Sequence, residues 1–120
     1  MNIDTKMRIG IALILLITSK YIECQIVLTR DLLEEWYGAD ELAKKESLYL
    51  RGRGITSIDP QTFNGLINLQ TIELYNNLLT EIDSETFKGL INLYSLSLFT
   101  NQISRIDPKA FKIPRNLKFI

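Results

Sequence analysis

The chain has 120 residues, 46% hydrophobic and 23% charged, which is the profile of one small folded domain rather than a disordered tail. Basic and acidic residues number 14 each, so no net field draws the protein to nucleic acid, and nucleic acid is not expected as a partner. Histidine is absent and Cys24 is the only cysteine, which excludes by counting a histidine-containing zinc site, a serine or cysteine triad and an internal disulfide.

Residues 1–24 carry Lys6 and Arg8, an uncharged run from Ile9 to Ile17, and then the more polar Thr18-Ser19-Lys20-Tyr21-Ile22-Glu23-Cys24. This order is that of a secretory signal peptide. A membrane span needs roughly 20 apolar residues, more than this run supplies, and a short buried helix is the other alternative. Cleavage before Gln25 is favoured over cleavage before Lys20, although the small residues preferred at such sites are only half met. Removing 1–24 takes three basic and two acidic residues, leaving 11 and 12, and it takes the only cysteine. A small exported chain without disulfides needs another source of stability.

Residues 25–46 are expected to form a helical segment that covers the beginning of the region 47–120. Asp31 and Glu34 have the spacing of a capping box, Leu32, Leu33 and Trp36 share one helical face, and Gly38 suits a helix end. A second short helix is predicted over 40–45, bringing in Leu42 and Ala43. An alternative role for Trp36 and Tyr37 is a ligand pocket.

From residue 47 onward the chain matches itself at an offset of 24. Leu66-Ile67-Asn68-Leu69 recurs as Leu90-Ile91-Asn92-Leu93, Ile72 and Leu74 as Leu96 and Leu98, Asn77 as Asn101, Ile82-Asp83 as Ile106-Asp107, and Phe87 as Phe111. Earlier counterparts are Leu48, Leu50, Ile55, Ile58-Asp59 and Phe63; later ones are Asn116-Leu117 and Ile120. Ile72 and Leu74 alternate with Thr71, Glu73 and Tyr75, the pattern of a short strand with one buried face. Asn76-Asn77 suits a turn. No single copy buries its apolar face alone, whereas stacked copies share a core and pair their strands in parallel.

The block Leu69-x-x-Ile72-x-Leu74-x-x-Asn77-x-Leu79, followed by Ile82, Phe87 and Gly89-Leu90, resembles the leucine-rich repeat family in its 24-residue extracellular form. The resemblance covers residues 47–120 and implies an α/β solenoid, a right-handed coil with short parallel strands on its concave face; the helical N-terminal cap read above stands in place of the disulfide-linked cap usual in the family, which this chain lacks. Together these readings divide the chain into a signal peptide (1–24), a helical cap (25–46) and repeats (47–120). The repeats comprise an edge coil (47–68), repeats 69–92 and 93–116, and the start of another at 117–120. The resemblance also implies structural roles for Asn77 and Asn101 inside the turns and for Phe63, Phe87 and Phe111 along the interior. The first copy departs from the pattern, with Arg53 at the asparagine position and Lys45 at the first leucine position, so a looser, solvent-facing turn is expected there.

On the concave face the outward row Arg51, Tyr75 and Phe99 lies beside Tyr49, Glu73 and Ser97. Arginine with aromatics is the composition that protein interfaces favour, and cross-strand aromatics also stabilise a sheet. These six residues are the expected partner-binding set for a protein ligand, and no catalytic residue, cofactor or metal site is expected. Arg51-Gly52-Arg53-Gly54 completes neither a dinucleotide fingerprint nor a phosphate loop, and Glu81, Asp83 and Glu85 follow the repeat phase rather than a calcium scheme. The basic group Arg105, Lys109, Lys112, Arg115 and Lys118 reads as a solvated outer face, with attraction of an anionic glycan or lipid surface as the alternative. Leu117 to Ile120 reads as the beginning of a strand. Its open edge suggests a piece of a longer protein, such as a receptor or adhesion ectodomain whose later part carries a membrane span, or self-association through that edge.

Overall fold

The computed structural model describes residues 25–112, 114 and 116–118. The expected leader, Arg115 and the last two residues of the expected closing strand lie outside the described residues. From Ser47 the chain winds in coils of 24 residues. Strands β2 (Ser47–Tyr49), β4 (Thr71–Glu73) and β6 (Ser95–Ser97) form a parallel sheet in the order β2-β4-β6. Ser47 faces Thr71 and Thr71 faces Ser95, Leu48 faces Ile72 and Leu96, and Tyr49 faces Glu73 and Ser97, so the sequence offset is also the pairing register. Period-two alternation sends Leu48, Ile72 and Leu96 into the core and leaves their neighbours on the other face.

The ladder continues outside the regular strands. Gln70 N–H donates to Glu46 O at 2.8 Å, Tyr94 N–H to Gln70 O at 2.8 Å and Lys118 N–H to Tyr94 O at 2.9 Å. Lys118 thus continues the 24-residue hydrogen-bond spacing of Gln70 and Tyr94, while neither Leu117 nor Lys118, the described part of the expected closing strand, is in a strand. On the other side of each coil lie β3 (Ile55–Ile58), β5 (Glu81–Ile82) and β7 (Arg105–Ile106), and β5 pairs with β7 in parallel. Between the two sides Phe63, Phe87 and Phe111 stack, with centroids 6.2 and 5.9 Å apart and planes inclined by 16° and 18°. Exposure of the inward residues rises along the stack. Ile82 is 1% exposed and its counterpart Ile106 is 48%, because each coil is covered by the next.

The amide side chains tie coil to coil. Asn77 is 4% exposed: its Oδ1 accepts from Arg53 N at 3.0 Å and Ile55 N at 3.1 Å, and its Nδ2 donates to Leu50 O and Leu74 O, both at 2.9 Å. Asn101 repeats the scheme with Leu79 N, Leu74 O and Leu98 O. These bonds satisfy buried backbone groups that no strand reaches. A second series, in the repeated Leu-Ile-Asn-Leu block, ties each coil to what precedes it: Asn68 Nδ2 donates to Ala43 O in the N-terminal helical segment and Asn92 Nδ2 to Ile67 O in the coil before.

The segment before Ser47 differs in two ways from the expectation. It opens with a strand, β1 (Ile26–Leu28), paired in parallel with β3, where the sequence suggests a helical stretch alone. The first helix, α1 (Arg30–Tyr37), is capped by Thr29, whose Oγ1 accepts from Leu32 N at 3.1 Å, and not by a box of Asp31 and Glu34. Thr29 leaves β1 in extended conformation and so reaches an N-terminal donor first. Asp31 then falls in the first turn, where its charge suits the helix dipole, and Glu34 pairs with Arg30 at 3.1 Å. Gly38, at φ 81°, ends α1, and α2 runs over Ala39–Lys44. Leu33 and Leu42 are buried against the first coil, with Leu32, Trp36 and Tyr37 partly buried beside them. Arg30 reaches the carbonyls of Thr62 and Asn64, and the buried Thr62 hydroxyl donates to Leu28 O at 2.9 Å. No helix among the described residues is long and apolar enough to cross a membrane.

Candidate functional site

The outer face of the β2-β4-β6 sheet is an array whose rows are coils and whose columns are residues 24 apart. Ser47, Thr71 and Ser95 make one half-buried hydroxyl column. Tyr49, 58% exposed, heads a second with the half-buried Glu73 and Ser97. Arg51, Tyr75 and Phe99 make the third and are joined: Arg51 Nη1 donates to the Tyr75 hydroxyl at 2.9 Å, and the Tyr75 ring lies on Phe99 with centroids 4.6 Å apart and planes 7° from parallel. All six residues proposed from the sequence thus share one face. The bond to the Tyr75 hydroxyl raises the pKa of the exposed Arg51 guanidinium, and the Glu73 carboxylate acts in the same direction. The backbone fixes this column, since Gly52 N bonds Tyr75 O and Asn76 N bonds Phe99 O, each at 3.2 Å.

The remaining polar groups have local partners. Asp83 Oδ1 accepts from Glu85 N and from the Thr86 hydroxyl, and Asp107 Oδ1 accepts from Lys109 N, so these carboxylates close outer turns. Among the described residues no cluster of metal-ligating side chains occurs. The Arg53 guanidinium lies 4.4 Å from the Trp36 ring centroid and Lys45 Nζ lies 4.7 Å from that of Tyr37, so the two aromatics considered for a pocket receive the two residues that break the repeat. Arg105, Lys109, Lys112 and Lys118 are exposed; Arg105 stands opposite Glu81 in the β5-β7 pair, and Lys118 reaches over the Tyr94 ring.

The model of the family described as Leucine rich repeat matches this chain twice, over residues 46–103 and 69–120. The chain belongs to the leucine-rich repeat family. Its coils, asparagine series and phenylalanine stack are the repeat's framework, and the sheet face is where this sequence varies from coil to coil. Among solved structures the repeats are similar to a chain of the Toll-Spatzle complex from Drosophila, described as a molecular hub in development and innate immunity. That likeness has a TM-score of 0.63 and 30% sequence identity, and it covers 68% of this chain and 11% of the other. A search of curated proteins returns no match.

Proposed function

We propose that this leucine-rich repeat chain is a secreted, non-catalytic protein-binding module whose ligand docks on a concave sheet face through Arg51, Tyr75 and Phe99, flanked by Tyr49, Glu73 and Ser97. One observation carries the reading: a continuous arginine-tyrosine-phenylalanine ladder lies on the sheet face with Phe99 62% exposed, where core packing has no use for it. Large flat side chains with a polar end are the anchors of protein interfaces. The similarity to a chain of the Toll-Spatzle complex supports a protein as ligand. In this reading residues 1–24 are the export leader, residues 25–46 are a cap over the first coil, and the coil is right-handed. Replacing Tyr75 and Phe99 together by alanine is expected to weaken a partner captured from secreted proteins by at least about 30-fold, the loss of one interface hot spot, with the circular dichroism spectrum unchanged. Undiminished capture by that double variant removes the proposal.

A second reading makes the chain the N-terminal part of a cell-surface receptor or adhesion ectodomain. It is favoured by the extent of the likeness, 11% of a far longer chain. Sequencing the transcript beyond the codon for Ile120 separates the two: further repeats and then an apolar span support the receptor, and an immediate stop excludes it.

A further inference from the structure

The outer turn of the first coil carries the only Asn-Gly pair in the chain, Asn64-Gly65, and both residues are exposed. Asn68, Asn77, Asn92 and Asn101 each commit Nδ2 to a main-chain carbonyl. The Asn64 amide has no such anchor: among the described residues its one side-chain bond is a long, exposed contact from Nδ2 to Gln61 Oε1 at 3.4 Å. The N–H of Gly65 makes no hydrogen bond among the described residues. Gly65 has φ of 79° and nothing within 4 Å of where a Cβ would stand, so its nitrogen is unshielded. Across the coil boundary Asn64 lies against Gly89, where a Cβ would come within 3.0 Å of Asn64 Oδ1, so the amide uses room left by a missing side chain. The carbonyl of the same peptide unit, Asn64 O, accepts from Arg30 Nη1 at 2.9 Å. A cation held on an amide oxygen draws electron density from the amide nitrogen and eases loss of its proton.

We propose that Asn64 is a site of intramolecular deamidation, with the Gly65 nitrogen as nucleophile and Arg30 as a positioning group that promotes ring closure and holds the product. Hydroxide from solvent takes the proton of Gly65 N, and the nitrogen attacks Asn64 Cγ. The N–Cγ bond forms, the Cγ–Nδ2 bond breaks, and Nδ2 leaves as ammonia after protonation by water. Water then opens the five-membered imide at either carbonyl. Breaking the new N–Cγ bond leaves an aspartyl residue; breaking the original peptide C–N bond leaves an isoaspartyl residue, whose main chain runs through Cγ. In the isoaspartyl product the oxygen that Arg30 already holds belongs to a free α-carboxylate, so a bond to a neutral acceptor becomes a charged pair. Arg30 also bonds Thr62 O, so the new charge falls at the seam between α1 and the first coil. The reaction gives the chain a slow, irreversible mark of age at that seam.

The test holds the purified chain in buffer made with heavy-oxygen water, then maps its peptides by mass spectrometry with electron-transfer fragmentation, which separates isoaspartyl from aspartyl products. Asn64 is expected to exchange its amide nitrogen for one heavy oxygen ahead of every other asparagine, in both product forms. The rate is expected to rise about tenfold per pH unit near neutrality, because the nitrogen anion is the reactant. Gly65→Ala is expected to slow the reaction at least about tenfold, since a methyl group crowds the attacking nitrogen. The same comparison in urea covers the case in which that variant does not fold. Arg30→Gln is expected to slow the folded chain about fivefold, the worth of one hydrogen bond, Arg30→Lys to restore most of the rate, and all three chains to react alike in urea. The proposal is overturned if Asn64 stays intact, if only the aspartyl form appears, or if Gly65→Ala reacts as fast as the parent. Equal rates for folded Arg30→Gln and parent overturn the part assigned to Arg30.

Discussion

Asn77 satisfies four backbone groups from inside a turn, and no other side chain type of that size offers both donors and acceptors to do so. Asn77→Ala strands the N–H groups of Arg53 and Ile55 and the carbonyl of Leu50 in a nearly dry site, while Leu74 O keeps the bond from the Asn101 amide. A loss of about 3 kcal/mol is expected, read from the urea midpoint, because unsatisfied buried groups each cost about 1–3 kcal/mol. Asn101→Ala is expected to cost less, since Asn101 is half-exposed. Equal losses contradict the burial argument. Thr100 carries the opposite expectation. Its left-handed backbone is strained by about 1 kcal/mol or more for a β-branched residue, so Thr100→Asn, which restores the residue type found at position 76, is expected to stabilise by about 1 kcal/mol. A falling melting temperature in that variant shows the geometry to be unstrained. The two asparagine positions were legible from the repeat spacing. The strain was not, because Gly52, Asn76 and Thr100 share a backbone conformation and no side chain chemistry.

At the scale of elements, β2, β4 and β6 could be read from the sequence because strict alternation and the 24-residue offset point to the same residues. The Leu-Ile-Asn-Leu block was equally visible, yet its asparagines gave no sign that Asn68 bonds a carbonyl of the second helix and Asn92 one of the preceding coil. Strand β1 was invisible: Ile26-Val27-Leu28 is three residues of uninterrupted apolar character, and its partner β3 lies about thirty residues away. The mistaken capping box has a related cause, since Thr29 becomes the cap only because β1 delivers it in extended form. The helices after it act through a few buried contacts. Leu33→Ala removes a side chain that is fully buried between α1 and the first coil, for an expected loss of about 3 kcal/mol. Amide exchange should accelerate in β3 and leave β6 unaffected. Unchanged protection in β3 means that the N-terminal segment does not hold the first coil.

For the molecule as a whole, stability is a property of contacts between coils. Phe87 is stacked on both sides and fully buried, whereas Phe111 is partly buried and has one stacked neighbour among the described residues. Phe87→Ala is therefore expected to cost about 4 kcal/mol and Phe111→Ala roughly half that, each measured by chemical denaturation. Identical losses imply that the rings stabilise their own coils rather than the stack. The array of side chains on the sheet face depends on this stacking, because the Arg51-Tyr75-Phe99 column exists only while three coils stay in register.

The offset that builds the molecule also gives the folding chain a wrong alternative. The backbone edge that β4 offers to β2 recurs 24 residues on in β6, again just after a Leu-Ile-Asn-Leu block, and looping out 24 residues adds only modest closure entropy. What tells the coils apart is the set of residues that break the pattern. Arg53 against Trp36 and Lys45 against Tyr37 mark the first coil as the one that docks on the N-terminal helices. The irregular positions thus serve as an index for assembly, and evening them out toward the repeat consensus would raise each coil's own fit while inviting mispaired chains.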